Sequence, residues 1–86
     1  MKIAVWDTYV TKKDGSLMHF DILVPDNVDA KEQIYSYGQK YLATKGQQGQ
    51  TLASNECRFC HIEMATAEIE ESVNATGYFI IEMQGC

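Results

Sequence analysis

Basic charge is scarce in this sequence: seven lysines and arginines face twelve acids, for a net charge of −5. Such a surface repels phosphate backbones and anionic lipid, and no basic patch with interleaved aromatics offsets it. Nucleic acid and membrane are therefore excluded as natural partners. Long hydrophobic runs are also missing. The longest, such as Tyr78 to Ile81, fall far short of the ~20 apolar residues of a membrane-spanning helix. The opening Met1-Lys2-Ile3-Ala4-Val5-Trp6 is followed at once by Asp7, whereas a signal peptide needs an apolar run of about 7–15 residues and a small-residue cleavage site. The expected compartment is the cytoplasm, where thiols stay reduced. An odd set of three cysteines then reads as ligands, active thiols or buried small hydrophobes rather than as a disulfide framework. Repeats and low-complexity tracts are absent as well. With 86 residues, 22% charged and 45% apolar, the chain is expected to form one globular domain over residues 1–86 that hides roughly 60–65% of its unfolded surface.

What is present is a clear alternation of β and α patterns. Residues Ile3 to Val10 carry the β-branched and aromatic set of a strand. Lys12 to Ser16 reads as a turn, in which Asp14-Gly15 supplies a positive φ. From Leu17 to Val24, Met18, Phe20, Ile22 and Val24 share one face and His19 and Asp21 the other. The two strands predict a β-hairpin in which His19 faces Asp7 or Thr8. The single proline, Pro25, ends it. Asp29 and Glu32 resemble a capping box. Ala30, Ile34, Tyr37, Gly38, Tyr41 and Leu42 then fall on one helical stripe, which ends near Gly46. Gly38 costs roughly 1 kcal/mol in a helix interior, and close packing against the sheet would offset that. Gln47 to Glu56 reads as a loop and Phe59 to Met64 as a short strand. Thr66 caps a helix from Ala67 to Ala75 that Gly77 stops, and Tyr78 to Met83 is a last strand. The order strand-strand-helix-strand-helix-strand predicts an α+β domain, a mostly antiparallel sheet with two helices packed on it.

The chemistry is concentrated in Cys57-Arg58-Phe59-Cys60-His61 and in Cys86, the last residue. Cys-x-x-Cys-His is the written signature of covalent haem attachment. Without an export signal, and within a strand-rich pattern, no haem is expected. A Cys-x-x-Cys redox pair normally places its first thiol at a helix N-terminus, which lowers the thiol pKa. Here the pair enters a strand, and the thioredoxin order of elements is absent. A zinc site is the third reading. The Cys57/Cys60 knuckle suits tetrahedral geometry, Cys86 could return beside it, and His61 or His19 would complete four ligands. His61 adjoins Cys60, and neighbours on a strand point to opposite faces. The plain alternative is three thiols used as small core hydrophobes. Asp7, His19 and Asp21 can also form a His–carboxylate cluster on the exposed face of the hairpin, fit for acid–base work, although a surface ion pair explains it as simply.

Asp7-Thr8-Tyr9-Val10, Met18-His19-Phe20-Asp21, Glu56-Cys57-Arg58-Phe59-Cys60-His61 and Gly77 to Cys86 together resemble a family of small bacterial proteins catalogued as domain of unknown function twenty twenty-four. The resemblance spans nearly the whole chain. It implies a single α+β domain, brings no activity, and places the family's motif positions on His19, Cys57, Cys60, His61 and Cys86. The expected function is a non-enzymatic cytoplasmic binding module for a protein or small-molecule partner, with or without a Cys/His zinc site drawn from those five residues. The alternative is a thiol-dependent enzyme or redox protein using Cys57 or Cys60, with His19 or His61 as base.

Overall fold

Alternating burial along the first hairpin sets the architecture. The computed structural model describes residues 1–86. Strand β1 (Ile3–Thr11) sends Ala4, Trp6 and Val10 to one face, and Ile3 and Val5 to the other. Strand β2 (Leu17–Pro25) does the same with Met18, Phe20, Ile22 and Val24 against Leu23. Because both faces of the hairpin carry apolar residues, each needs a cover. Helix α1 (Lys31–Thr44) covers the first, burying Ile34, Tyr37, Tyr41 and Leu42. Helix α2 (Ala67–Thr76) covers part of the second, burying Ile69 and Val73 against Ile3, Val5 and Leu23. The helices thus lie on opposite faces of one sheet.

Strands β3 (Leu52–Ile62) and β4 (Phe79–Gln84) add to the two sides of the hairpin, giving the order β3-β1-β2-β4 with every pairing antiparallel. This is the expected α+β class with the expected order of elements. In the β1–β2 ladder His19 pairs with Tyr9, not with Asp7 or Thr8, and Asp7 stands directly opposite Asp21. The Asp14-Gly15 turn forms as its residues predict, with Gly15 at φ 88°.

Three local expectations change. The capping box is not made: Ala30 is the N-cap of α1, and no side chain caps it. The segment expected as a loop from Gln47 belongs to β3 from Leu52 onward, because its backbone pairs with β1 from Val10↔Leu52 to Val5↔Cys57. Ladder pairing here outweighs the weak β propensity of Ala53, Ser54, Asn55 and Glu56. Met64, expected on the strand, lies beyond it and is exposed. By contrast, Thr66 caps α2 by accepting from the Ile69 N–H at 3.3 Å, and Gly77 ends it at φ 96°. A Cβ on Gly38 would sit 2.5 Å from Leu52 Cδ2 and 3.4 Å from Ile22 Cδ1, so the close approach expected of that glycine is real.

One polar pair is sealed in the α1 face: the Thr8 and Ser54 hydroxyls lie 2.8 Å apart, and Thr8 also donates to the Trp6 carbonyl. The C-terminal end of α1 is tied to β4 through Glu82, which accepts from Tyr41 at 2.5 Å and pairs with Lys45 at 2.7 Å. Those two donors hold the Glu82 carboxyl below its ordinary range, Lys45 contributing most. Burial, followed by the bond to Glu82, pushes the Tyr41 phenol up.

Candidate functional site: an edge disulfide beside a histidine–carboxylate cluster

Where β3 passes Ala4 its pairing breaks. Val5 pairs with Cys57 and Ile3 with Ile62, so residues 58–61 stand against Ala4 alone. Such a bulge pushes the extra residues out of the ladder. Arg58, Phe59 and Cys60 are accordingly exposed, Phe59 fully so. The bulge brings the Cα atoms of Cys57 and Cys60 to 5.3 Å, and their sulfurs are joined in a disulfide. That separation lies within the range a disulfide requires. Cys60 is exposed and Cys57 half-buried, so neither serves as a buried core hydrophobe.

Helix α2 covers only part of its face. Beyond Val5 and Leu23, the same face presents Asp7, Tyr9, His19 and Asp21 with no helix above them. Asp7 links two groups. One carboxylate oxygen lies within 4.8 Å of both the Cys57 and Cys60 sulfurs, and Asp7 also shares a cluster of that size with His19 and Asp21. His19 Nε2 is 3.7 Å from Asp21 Oδ1 and 4.0 Å from Asp7 Oδ1. The His19 ring is stacked on Tyr9, with centroids 4.2 Å apart and planes 11° from parallel, which fixes its orientation. The cluster is more enclosed than an exposed hairpin face, since the Asp21 side chain is only 13% accessible. Burial, and then the Asp7 carboxyl beside it, raise Asp21 to about 6, while His19 pulls it the other way. A groove of about 470 Å³ is lined by Tyr9 together with Val10, Leu17 and Gln50, and its lining holds no thiol, histidine or acid.

The residues expected to share zinc are placed apart. Cys57 and Cys60 are together, but His61 turns to Asp26 and Glu63, at 3.9 and 4.0 Å. Cys86 follows β4 on the opposite edge of the sheet, and its thiol donates to the His19 backbone carbonyl at 3.4 Å. His19 sits in the interior of the sheet beside Asp7. The partner that sequence reasoning did not join to the cysteines is Asp7. It occupies the next same-face position after Val5, the residue opposite Cys57, so only the β1–β3 register reveals it.

Fold and site together define a small α+β protein with a Cys-x-x-Cys disulfide on one sheet edge and an acid–histidine cluster next to it. The sequence matches the family described as Domain of unknown function (DUF2024) over residues 1–83, and the chain belongs to that family, as its motifs suggested. A solved structure is similar along the whole chain. It is the NMR structure of the protein NE1680 from Nitrosomonas europaea, 36% identical, covering 100% of this chain and 99% of that one with a TM-score of 0.80. No curated protein matches. No helix is long and apolar enough to cross a membrane.

Proposed function

We propose that the protein is a thiol–disulfide redox protein that cycles Cys57 and Cys60 between disulfide and dithiol in exchange with thiol-bearing partners. The observation that carries this reading is the joined Cys57–Cys60 pair on an outward bulge of an edge strand, with Cys60 exposed. In a reducing compartment, the one expected here, an accessible disulfide is characteristically catalytic or sensory rather than structural. The zinc-module reading that used Cys57, Cys60 and Cys86 together needs three thiolates at one point, and the placement of Cys86 favours it less.

In the oxidising direction, the Cys60 thiolate attacks a partner disulfide, forming a mixed disulfide and releasing one partner thiolate. Cys57 then attacks the Cys60 sulfur, closing the intramolecular bond and releasing the second thiolate, so the partner gains two electrons and the pair loses two. Phe59 and Arg58 stand exposed between the cysteines and offer an apolar and a cationic contact to whatever carries the partner sulfur. Two charges flank the pair: the Asp7 carboxylate lies within 4.8 Å of both sulfurs, and Arg58 stands between the two cysteines on β3.

Trapping tests this reading. In a Cys86→Ser background, reduced Cys57→Ser should accumulate a one-glutathione adduct on Cys60 when mixed with glutathione disulfide. The parent with both cysteines should resolve that adduct to the intramolecular disulfide. A parent adduct that persists as long as the variant's contradicts the proposal.

A further inference from the structure

The cluster of Asp7, His19 and Asp21 carries a second chemistry that thiol exchange does not use. Asp7 and Asp21 are direct cross-strand partners, the Asp21 side chain mostly covered and that of Asp7 40% accessible. Like charges placed that way destabilise a sheet. His19 stands one row along, held flat on Tyr9 with Nε2 aimed between the two carboxylates. At 3.7 and 4.0 Å its nitrogen is too far from either oxygen for a hydrogen bond. His19 Nε2 and Asp21 Oδ1 are both sealed from solvent, and neither has a hydrogen-bond partner. Buried polar atoms nearly always have one, so two orphans facing each other call for something between them.

We propose that Asp7, His19 and Asp21 are the ligands of a divalent-cation site of the zinc class. Their ligand atoms lie within 4.8 Å of one another. Bonds of about 2.0–2.2 Å to a shared tetrahedral zinc put ligand atoms roughly 3.3–3.6 Å apart, so the two histidine contacts close with shifts of several tenths of an ångström and the two carboxylates with at most about 1.5 Å. A cation there cancels the carboxylate repulsion and satisfies both orphaned atoms at once. One imidazole with two carboxylates suits zinc or manganese. It is a poor match for cations that take oxygen ligands alone, or for copper(I), which prefers sulfur. His19 was expected to ligate zinc beside the cysteines; the structure instead gives it two carboxylates on its own hairpin.

This site needs neither thiol, so it stands or falls apart from the redox reading. Zinc chloride titrated calorimetrically into the fully oxidised wild-type protein should bind at one ion per chain. His19→Ala and Asp21→Asn should each weaken binding at least tenfold. A Cys57→Ser/Cys60→Ser double variant should keep it. In the wild type, the His19 ring resonances should shift or broaden as zinc is added, a readout that does not depend on any variant folding. No binding to the oxidised protein at hundred-micromolar zinc overturns the proposal. So do unmoved His19 resonances, or binding that disappears with the cysteines, which would assign the metal to the thiols. Glutathione trapping on Cys60 reads the redox chemistry alone, and either result is independent of the other.

Discussion

Replacing Asp21 with asparagine in the metal-free protein should flatten the pH dependence of folding stability between about pH 4 and 7. The Asp21 carboxyl is 13% accessible and stands opposite Asp7. Burial first, and then Asp7, raise it from 3.8 to about 6. The folded protein therefore holds a proton at this position that the unfolded chain gives up near pH 3.8. The stability this contributes is fully present below the unfolded value and is lost as the pH rises through the folded one, with no further change above it. At about 1.4 kcal/mol per unit the loss is bounded near 3 kcal/mol. Asp7, the partner whose charge contributes, is 40% accessible, and screening there brings the expected loss to about 1–2 kcal/mol. Urea denaturation of wild type and Asp21→Asn at pH 4, 5, 6, 7 and 8 measures it. The wild type should lose that amount relative to the variant across the window, and the variant should be at least as stable above pH 7. Parallel stability curves for the two proteins would refute the reasoning.

Other elements give independent checks. Reducing the Cys57–Cys60 bond should lower stability by about 2 kcal/mol, the chain-entropy value for closing so short a loop, as read from denaturation with and without reductant. Glu82 is held below its ordinary 4.5 by Lys45 and Tyr41. Its contribution is present above that value and lost as pH falls through the folded one, so Glu82→Gln should weaken the stability loss on the acid side in an acid titration. Phe20→Ala removes a fully buried ring packed 4.6 Å from Tyr41 and should cost about 3–5 kcal/mol by chemical denaturation. Thr66→Ala, which deletes the N-cap of α2, should cost about 1 kcal/mol in the same assay.

The hairpin and both helices were legible because their residues repeat with the right periods. Met18, Phe20, Ile22 and Val24 alternate, and Ile34, Tyr37, Tyr41 and Leu42 follow a helical stripe, so each element declares its buried side locally. Strand β3 does not. Within its first half only Leu52 and Ser54 are buried, and its conformation is dictated by the β1 edge rather than by its own residues. The same limit governs the site. Cys57, Cys60, His61 and Cys86 could be singled out as chemically capable. Whether they meet depends on the order β3-β1-β2-β4, which sends β3 and β4 to opposite edges and separates Cys86 from the pair. Periodicity carries no information about that order. Asp7, His19 and Asp21 were recognisable as a cluster because one hairpin holds all three. Their enclosure, and the approach of Asp7 to the sulfurs, came only with the register of β3.

On the proposed function, Cys57 and Cys60 form a working redox couple. Equilibration of the Cys86→Ser protein across a series of glutathione redox buffers, with free thiols counted by mass tagging, tests it most directly. One reversible two-electron transition confined to Cys57 and Cys60 is expected, with a midpoint between about −180 and −270 mV, the range of proteins that exchange disulfides with partners. A pair that stays oxidised to below about −300 mV, as structural disulfides do, would contradict it, as would thiols that never pair.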